Sequence, residues 1–134
     1  MTLVVDASVA AKWAIEEDAS HRAIALRDSE ENFIAPSLIV AEIGNALWKR
    51  AIRQEMSAYD AVRALQSVVR AFAQLVPPSE LTARAIEIAV ELRHPIYDCF
   101  YLALAERERC ALITADAKLI AAAKAVRGVE VRRL

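Results

Sequence analysis

The sequence predicts an α/β fold, with a parallel sheet of about five short strands flanked by helices in three α/β/α layers. Three observations predict it. Short apolar runs alternate along the chain with longer amphipathic segments, the pattern of strand–helix–strand units. The strand-like runs are apolar on both faces, as parallel strands covered by helices are. Only 2 Gly occur among 134 residues and no Pro- or Gly-rich linker interrupts the chain, so most of it is available for regular structure. The length fits a single domain, 1–134, able to bury a core without staples.

The elements follow in order. Thr2 to Val5 is a β-branched run ending at Asp6. Ser8 to Glu16 reads as a helix capped by Ser8, and Ala19 to Glu31 as a second. Phe33 and Ile34 form a brief apolar run stopped by Pro36. Ser37 opens a long helix to about Arg53, with Ile39, Ile43 and Leu47 at helical spacing. The next helix, about Ala58 to Ala73, carries Val62, Leu65, Val69 and Phe72 on one face. Leu75 and Val76 read as a short strand ended by Pro77 and Pro78. Glu80 to Arg93 is helical and broken at His94-Pro95, because the residue before Pro avoids the helical region. Tyr97 to Glu108 is helical again, Ala111 to Thr114 a strand, Asp116 to Val126 a last helix and Val129 to Arg132 a last strand.

Composition excludes several classes. The hydrophobic fraction is 57% and mean hydropathy is +0.26. That is more apolar surface than one small core hides, and the surplus points to an oligomer or a dedicated protein partner. No window is long and apolar enough to span a bilayer. The start, MTLVVDASVAAKWAIEE, lacks the basic region of a signal peptide, so a cytoplasmic protein is expected. Cys99 and Cys110 have no zinc-like spacing and read as reduced core thiols. His21 and His94 sit near no other soft ligand. Net charge is -1, from 17 basic and 18 acidic residues. A nucleic-acid partner would therefore need local positive charge, or acids neutralised by metal.

Four acids stand out by position. Asp6 ends the first strand and Asp116 follows a later one, where ligands of parallel sheets bind. Asp98 lies in the first turn of its helix, after Pro95, in an apolar segment shared with Tyr101 and Leu102. Glu42, Asn45 and Lys49 line one side of an otherwise apolar helix. Taken singly, Asp6, Asp98 and Asp116 also read as caps or helix-dipole partners, and Glu42 as part of a solvated stripe. As a set they need a cation, since two unit charges ~4 Å apart repel by ~4 kcal/mol at an effective dielectric of 20. Oxygen ligands alone select Mg²⁺ or Mn²⁺ over zinc. Ser8, Thr114 and Asn45 are placed to orient metal-bound water or the carboxylates. Such a site suits hydrolysis of a phosphodiester.

The motifs VVDASVAAKW, APSLIVAEIGNALWK, IYDCFYLALAE and LITADAKL together resemble the PIN-domain ribonucleases, and within them the VapC toxins of VapBC toxin–antitoxin pairs. Their order and spread cover essentially the whole chain. The resemblance implies a PIN-like fold and a metal-dependent ribonuclease whose acidic positions map onto Asp6, Glu42, Asp98 and Asp116. Ser8 and Thr114 match its small hydroxyl positions, and Asn45 its helix amide. It also implies RNA as substrate, a homodimer and a VapB-like antitoxin that covers the site entrance. Two departures are visible: Cys99 follows Asp98 where a smaller residue is common, and no further acid follows Asp116 closely, which leaves open whether a second metal binds. Lys12, Lys49, Arg50, Arg53, Arg93 and Lys118 are the candidate RNA contacts, with a solvated charged face as the alternative reading. Trp13 and Trp48 are candidate interface anchors, with ordinary core packing the alternative.

Two other readings compete. A strand-end-Asp phosphotransfer enzyme needs either a second Asp two residues on, where Ser8 stands, or an acidic pair before Asp6, which is missing. A non-catalytic interaction module on the same fold would leave the four acids as caps or relics.

Overall fold

The computed structural model describes residues 1–134. Five strands, β1 (Thr2–Val5), β2 (Asn32–Pro36), β3 (Phe72–Val76), β4 (Ala111–Thr114) and β5 (Val131–Arg133), form one sheet in the order β3-β2-β1-β4-β5. Every pairing is parallel. Seven helices connect them: α1 (Ala7–Ala10), α2 (Ser20–Arg27), α3 (Leu38–Ile52), α4 (Ala58–Arg70), α5 (Thr82–Leu92), α6 (Ile96–Glu108) and α7 (Ala117–Ala123). The expected α/β architecture of about five strands is the one observed.

The order follows from hydrophobicity. β1 and β4 carry the most continuous apolar runs and occupy the interior of the sheet, where Leu3, Val4, Val5 and Ala111 to Thr114 are buried. β3 and β5 are the edges, and Val76 is the one buried residue in them. From β1 the chain steps outward to β2 and β3, then returns across to β4 and β5 on the other side. α3 packs on α4 and on α1, while α5 packs on α6, which lies against the sheet. The point where direction reverses lies between β1 and β4, so the crevice beyond their carboxyl ends is where a ligand site belongs.

α6 is the central helix. Cys99 to Ala105 are all buried, and the helix packs against α5, β1, β2 and β4. A helix apolar around its circumference has to be enclosed in this way. Asp98, at its start, is thereby held beside the end of β1.

Several boundaries differ from the sequence expectation. The first helix is capped by Asp6, not Ser8: Asp6 accepts the Val9 N–H at 3.3 Å, and the Ser8 hydroxyl turns to Asp6 instead. It lasts one turn and tightens into a 3₁₀ turn at Ala11–Trp13. α2 begins only after Ala19, whose φ of 64° cannot continue a helix. Pro36 is the last residue of β2 and does not stop it early, because Ser37 supplies the next N–H to the Val76 carbonyl at 2.7 Å. β3 starts at Phe72, which pairs with Phe33, so α4 ends at Arg70. The last helix stops at Ala123 and the chain turns at Gly128, φ 82°, before β5.

Trp13 is a core residue. Its ring lies 5.4 Å from Phe33 and 5.5 Å from Phe72, and its indole N–H donates to the Ala23 carbonyl at 2.8 Å. An interface role is excluded by that burial. Trp48, in contrast, is 57% exposed.

Candidate active site

Asp6 follows β1 directly and its N–H donates to the Ile113 carbonyl of β4, so it sits at the reversal point of the sheet. Ser8 donates to Asp6 Oδ1 at 2.6 Å and Thr114 donates to Oδ2. Each hydroxyl is oriented from behind by a backbone amide: Ala115 N–H donates to Ser8 Oγ at 2.9 Å, and Asp116 N–H to Thr114 Oγ1 at 3.0 Å. With their lone pairs engaged by amides, both hydroxyls point their protons at the carboxylate. Ser8 and Thr114 thus hold the Asp6 carboxylate between them, one hydroxyl on each oxygen.

Asp6 is nonetheless an expensive charge. Burial pushes its pKa from 3.8 up to about 6, against the lowering effect of Ser8, Thr114 and the Val9 amide, and repulsion from Asp98 adds to the rise. Glu42, on α3, is also raised, first by burial and then by repulsion from Asp6 and Asp98. The Tyr101 hydroxyl of α6 donates to Glu42 Oε1 at 2.6 Å and offsets part of that cost. Burial and the facing Glu42 carboxylate keep the Tyr101 phenol protonated. Asp98 Oδ2 lies 2.6 Å from His94 Nε2, whose N–H donates to it. Asp6, Glu42 and Asp98 are thus brought close enough to repel one another, and no Lys or Arg pairs with any of them.

Asp116 is placed differently. It is the N-cap of α7, with Oδ1 accepting from Lys118 N–H at 2.9 Å and Leu119 N–H at 3.4 Å. It borders the site through its own N–H to Thr114. Asn45 is exposed on α3, and so is Lys49 one turn further on. Lys12 is tied to Glu17 at 3.2 Å, and Arg50 to Glu17 at 3.8 Å and Glu55 at 3.0 Å. Lys118 is exposed beside Asp116.

Sequence reasoning gave no role to two residues that contact the acids. Tyr101 was visible as a neighbour of Asp98 on its helix, but its partner Glu42 is 59 residues away. His94 and Asp98 have i, i+4 spacing, yet the helix begins only at Ile96, so a helical argument would not have joined them.

A PIN-domain family model matches residues 3–125. The chain belongs to the PIN-domain family. This PIN domain is 37% identical to ribonuclease VapC9 of Mycobacterium tuberculosis over 117 residues, covering 87% of each chain. It is 31% identical to ribonuclease VapC3 of Pyrobaculum aerophilum, over 89% of this chain and 92% of that one. Its fold is similar to that of VapBC2 from Rickettsia felis, solved bound to a DNA fragment from the promoter, with a TM-score of 0.74, 13% identity and coverage of 100% and 99%.

The donor set of this PIN domain fits a hard divalent ion. Asp6 is a desolvated carboxylate facing two further acids with no cationic side chain to neutralise it. No three Asp, Glu, His or Cys side chains already stand around one coordination point. Mg²⁺ does not require that, since it keeps several waters and is held through one or two carboxylates.

Proposed function

We propose that this PIN domain, acting over residues 1–134 as one unit, is a Mg²⁺- or Mn²⁺-dependent ribonuclease and the toxin of a VapBC-type pair. The observation that carries the reading is the buried, uncompensated Asp6 carboxylate at the β1/β4 reversal point, with Glu42 and Asp98 beside it. Family membership and the names of its VapC relatives support RNA as the substrate.

Asp6, Glu42 and Asp98 would hold the metal, with Asp116 at the margin. When bound, the ion supplies a lowered water pKa and neutralises charge developing on the phosphoryl group. The chain's own residues do the rest. Ser8 and Thr114 keep Asp6 oriented with both oxygens hydrogen-bonded. Tyr101 fixes Glu42, and His94 fixes Asp98. A VapB-like antitoxin and a second copy of the chain are the expected partners. The VapBC2 neighbour, solved with its partner, supports the first. Exposed Trp48, Ile52, Val62, Ile86 and Val90 supply apolar surface for both. No helix is long and apolar enough to cross a membrane, which agrees with a cytoplasmic site of action.

The test is RNA cleavage by the purified protein. Cleavage is expected with Mg²⁺ or Mn²⁺, is expected to stop with EDTA, and is expected to be lost in Asp6→Asn and Asp98→Asn proteins that still fold. Metal-independent cleavage, or full activity in both variants, overturns the reading.

A further inference from the structure

Next to the carboxylates, on the β4–β5 side, lies a second feature that the metal site does not use. A cavity of about 200 Å³ is lined by Lys12, Asp18, Ala19, Arg22, Ala115, Arg133 and Leu134. Three cationic side chains line it against one acidic side chain, Asp18. Its position is set by the catalytic end of the sheet. Ala115 follows Thr114 directly, and its N–H holds the Ser8 hydroxyl that bonds Asp6. Leu134 N–H donates to the Thr114 carbonyl, which brings the end of β5 alongside. Lys12 comes from the turn after α1, the helix that Asp6 caps.

The cations differ in availability. Lys12 is held by Glu17. Arg22 and Arg133 are exposed and enter none of the chain's ion pairs. Two unpaired guanidinium groups come from separate elements, α2 and β5, to one concavity beside a candidate phosphodiester-cleaving site. Guanidinium forks match phosphate oxygens bidentately. A chain of net charge -1 has no general attraction for a polyanion, so cations at the site have to supply it locally.

We propose that the cavity between Arg22 and Arg133 is a backbone-phosphate subsite for single-stranded RNA, holding a phosphodiester next to the one presented to Asp6. The proposal rests on the ribonuclease reading and names how that site grips its substrate. Arg22 and Arg133 are positioning residues: they bind a phosphate that is not cleaved and set the strand's register. This shifts the gripping role from Lys12 and Arg50, which are engaged by Glu17 and Glu55, to two arginines that sequence spacing did not single out.

The experiment measures binding of a short fluorescein-labelled single-stranded RNA of mixed sequence to the intact protein in EDTA, across a salt series, followed by cleavage kinetics with Mn²⁺. The proteins are wild type, Arg22→Gln/Arg133→Gln, and Arg70→Gln as a control at the end of α4, by the amino ends of the strands. Loss of two phosphate contacts should lower the slope of log K against log salt by about 1.4 and weaken binding about tenfold near physiological salt. In cleavage, KM should rise by a similar factor with kcat largely kept, and Arg70→Gln should stay within about twofold of wild type. Unchanged slope and KM in the double variant overturn the subsite, and so does an equal loss in Arg70→Gln or a wild type that binds no RNA. If wild type cleaves RNA and the double variant behaves like it, the subsite fails and the ribonuclease reading stands. If binding depends on the two arginines and no metal restores cleavage, the subsite stands and the ribonuclease reading fails.

Discussion

Replacing Asp6 by Asn should make the metal-free protein more stable at neutral pH. The Asp6 carboxyl titrates at about 6 instead of 3.8, because burial outweighs its hydrogen bonds. Each tenfold difference in proton affinity is worth ~1.4 kcal/mol, so keeping Asp6 ionised in the empty fold costs about 3 kcal/mol. That is a large share of a total stability of roughly 5–15 kcal/mol. The sign follows from proton counting. Between 3.8 and about 6 the folded state binds more protons than the unfolded chain, so stability falls as pH rises through this window. Asn mimics the protonated acid and removes the dependence. Urea unfolding in EDTA should show wild type losing about 3 kcal/mol between pH ~4 and ~7.5 relative to Asp6→Asn, with the two converging at the acid end. Adding Mn²⁺ or Mg²⁺ should stabilise wild type at neutral pH and leave the variant unmoved. Parallel pH curves, or equal stabilisation of both by metal, would refute the claim that Asp6 is an uncompensated buried charge awaiting a cation.

Three further outcomes are expected. Asp116→Asn keeps a capping side chain on α7, so stability should change by less than ~0.5 kcal/mol; cleavage should fall less than in Asp6→Asn, and a loss as complete as that of Asp6→Asn would put Asp116 among the groups that hold the metal. Tyr101→Phe removes the hydrogen bond to Glu42 and should cost about 2 kcal/mol in urea unfolding at neutral pH, less in acid where Glu42 is protonated; no change would show that the bond does not support Glu42. Cys99 is fully buried with its thiol pushed up to about 11, whereas Cys110 is half-buried; Ellman's reagent should therefore find Cys110 in the native protein and both thiols only after denaturation, and equal native reactivity would contradict the packing of α6.

Much of the site was legible because strand ends and helix starts are marked by sequence punctuation. Asp6 closes an apolar run, Asp98 follows Pro95, and Glu42 interrupts an apolar helix. Ser8 and Thr114, each two residues from an acid, were legible for the same reason. What was not legible is pairing across the chain. Nothing in spacing joins Tyr101 to Glu42, or Arg22 to Arg133. Trp13 shows the same limit from the apolar side. Its bulk near the site suggested an interface, and only the packing of Phe33 and Phe72 around it makes it core.

By itself the sequence determined the α/β class, the parallel sheet and the family, since these depend on local periodicity and on motifs written contiguously. Tertiary structure alone decided the strand order and the reversal point between β1 and β4, because strand adjacency depends on which apolar faces meet. It also sorted the four acids. Asp6 and Glu42 are desolvated and share one neighbourhood with Asp98, whose charge repels both, while Asp116 has its carboxylate engaged at the start of α7. Burial and repulsion depend on distance in space, which a linear chain does not record until it is folded.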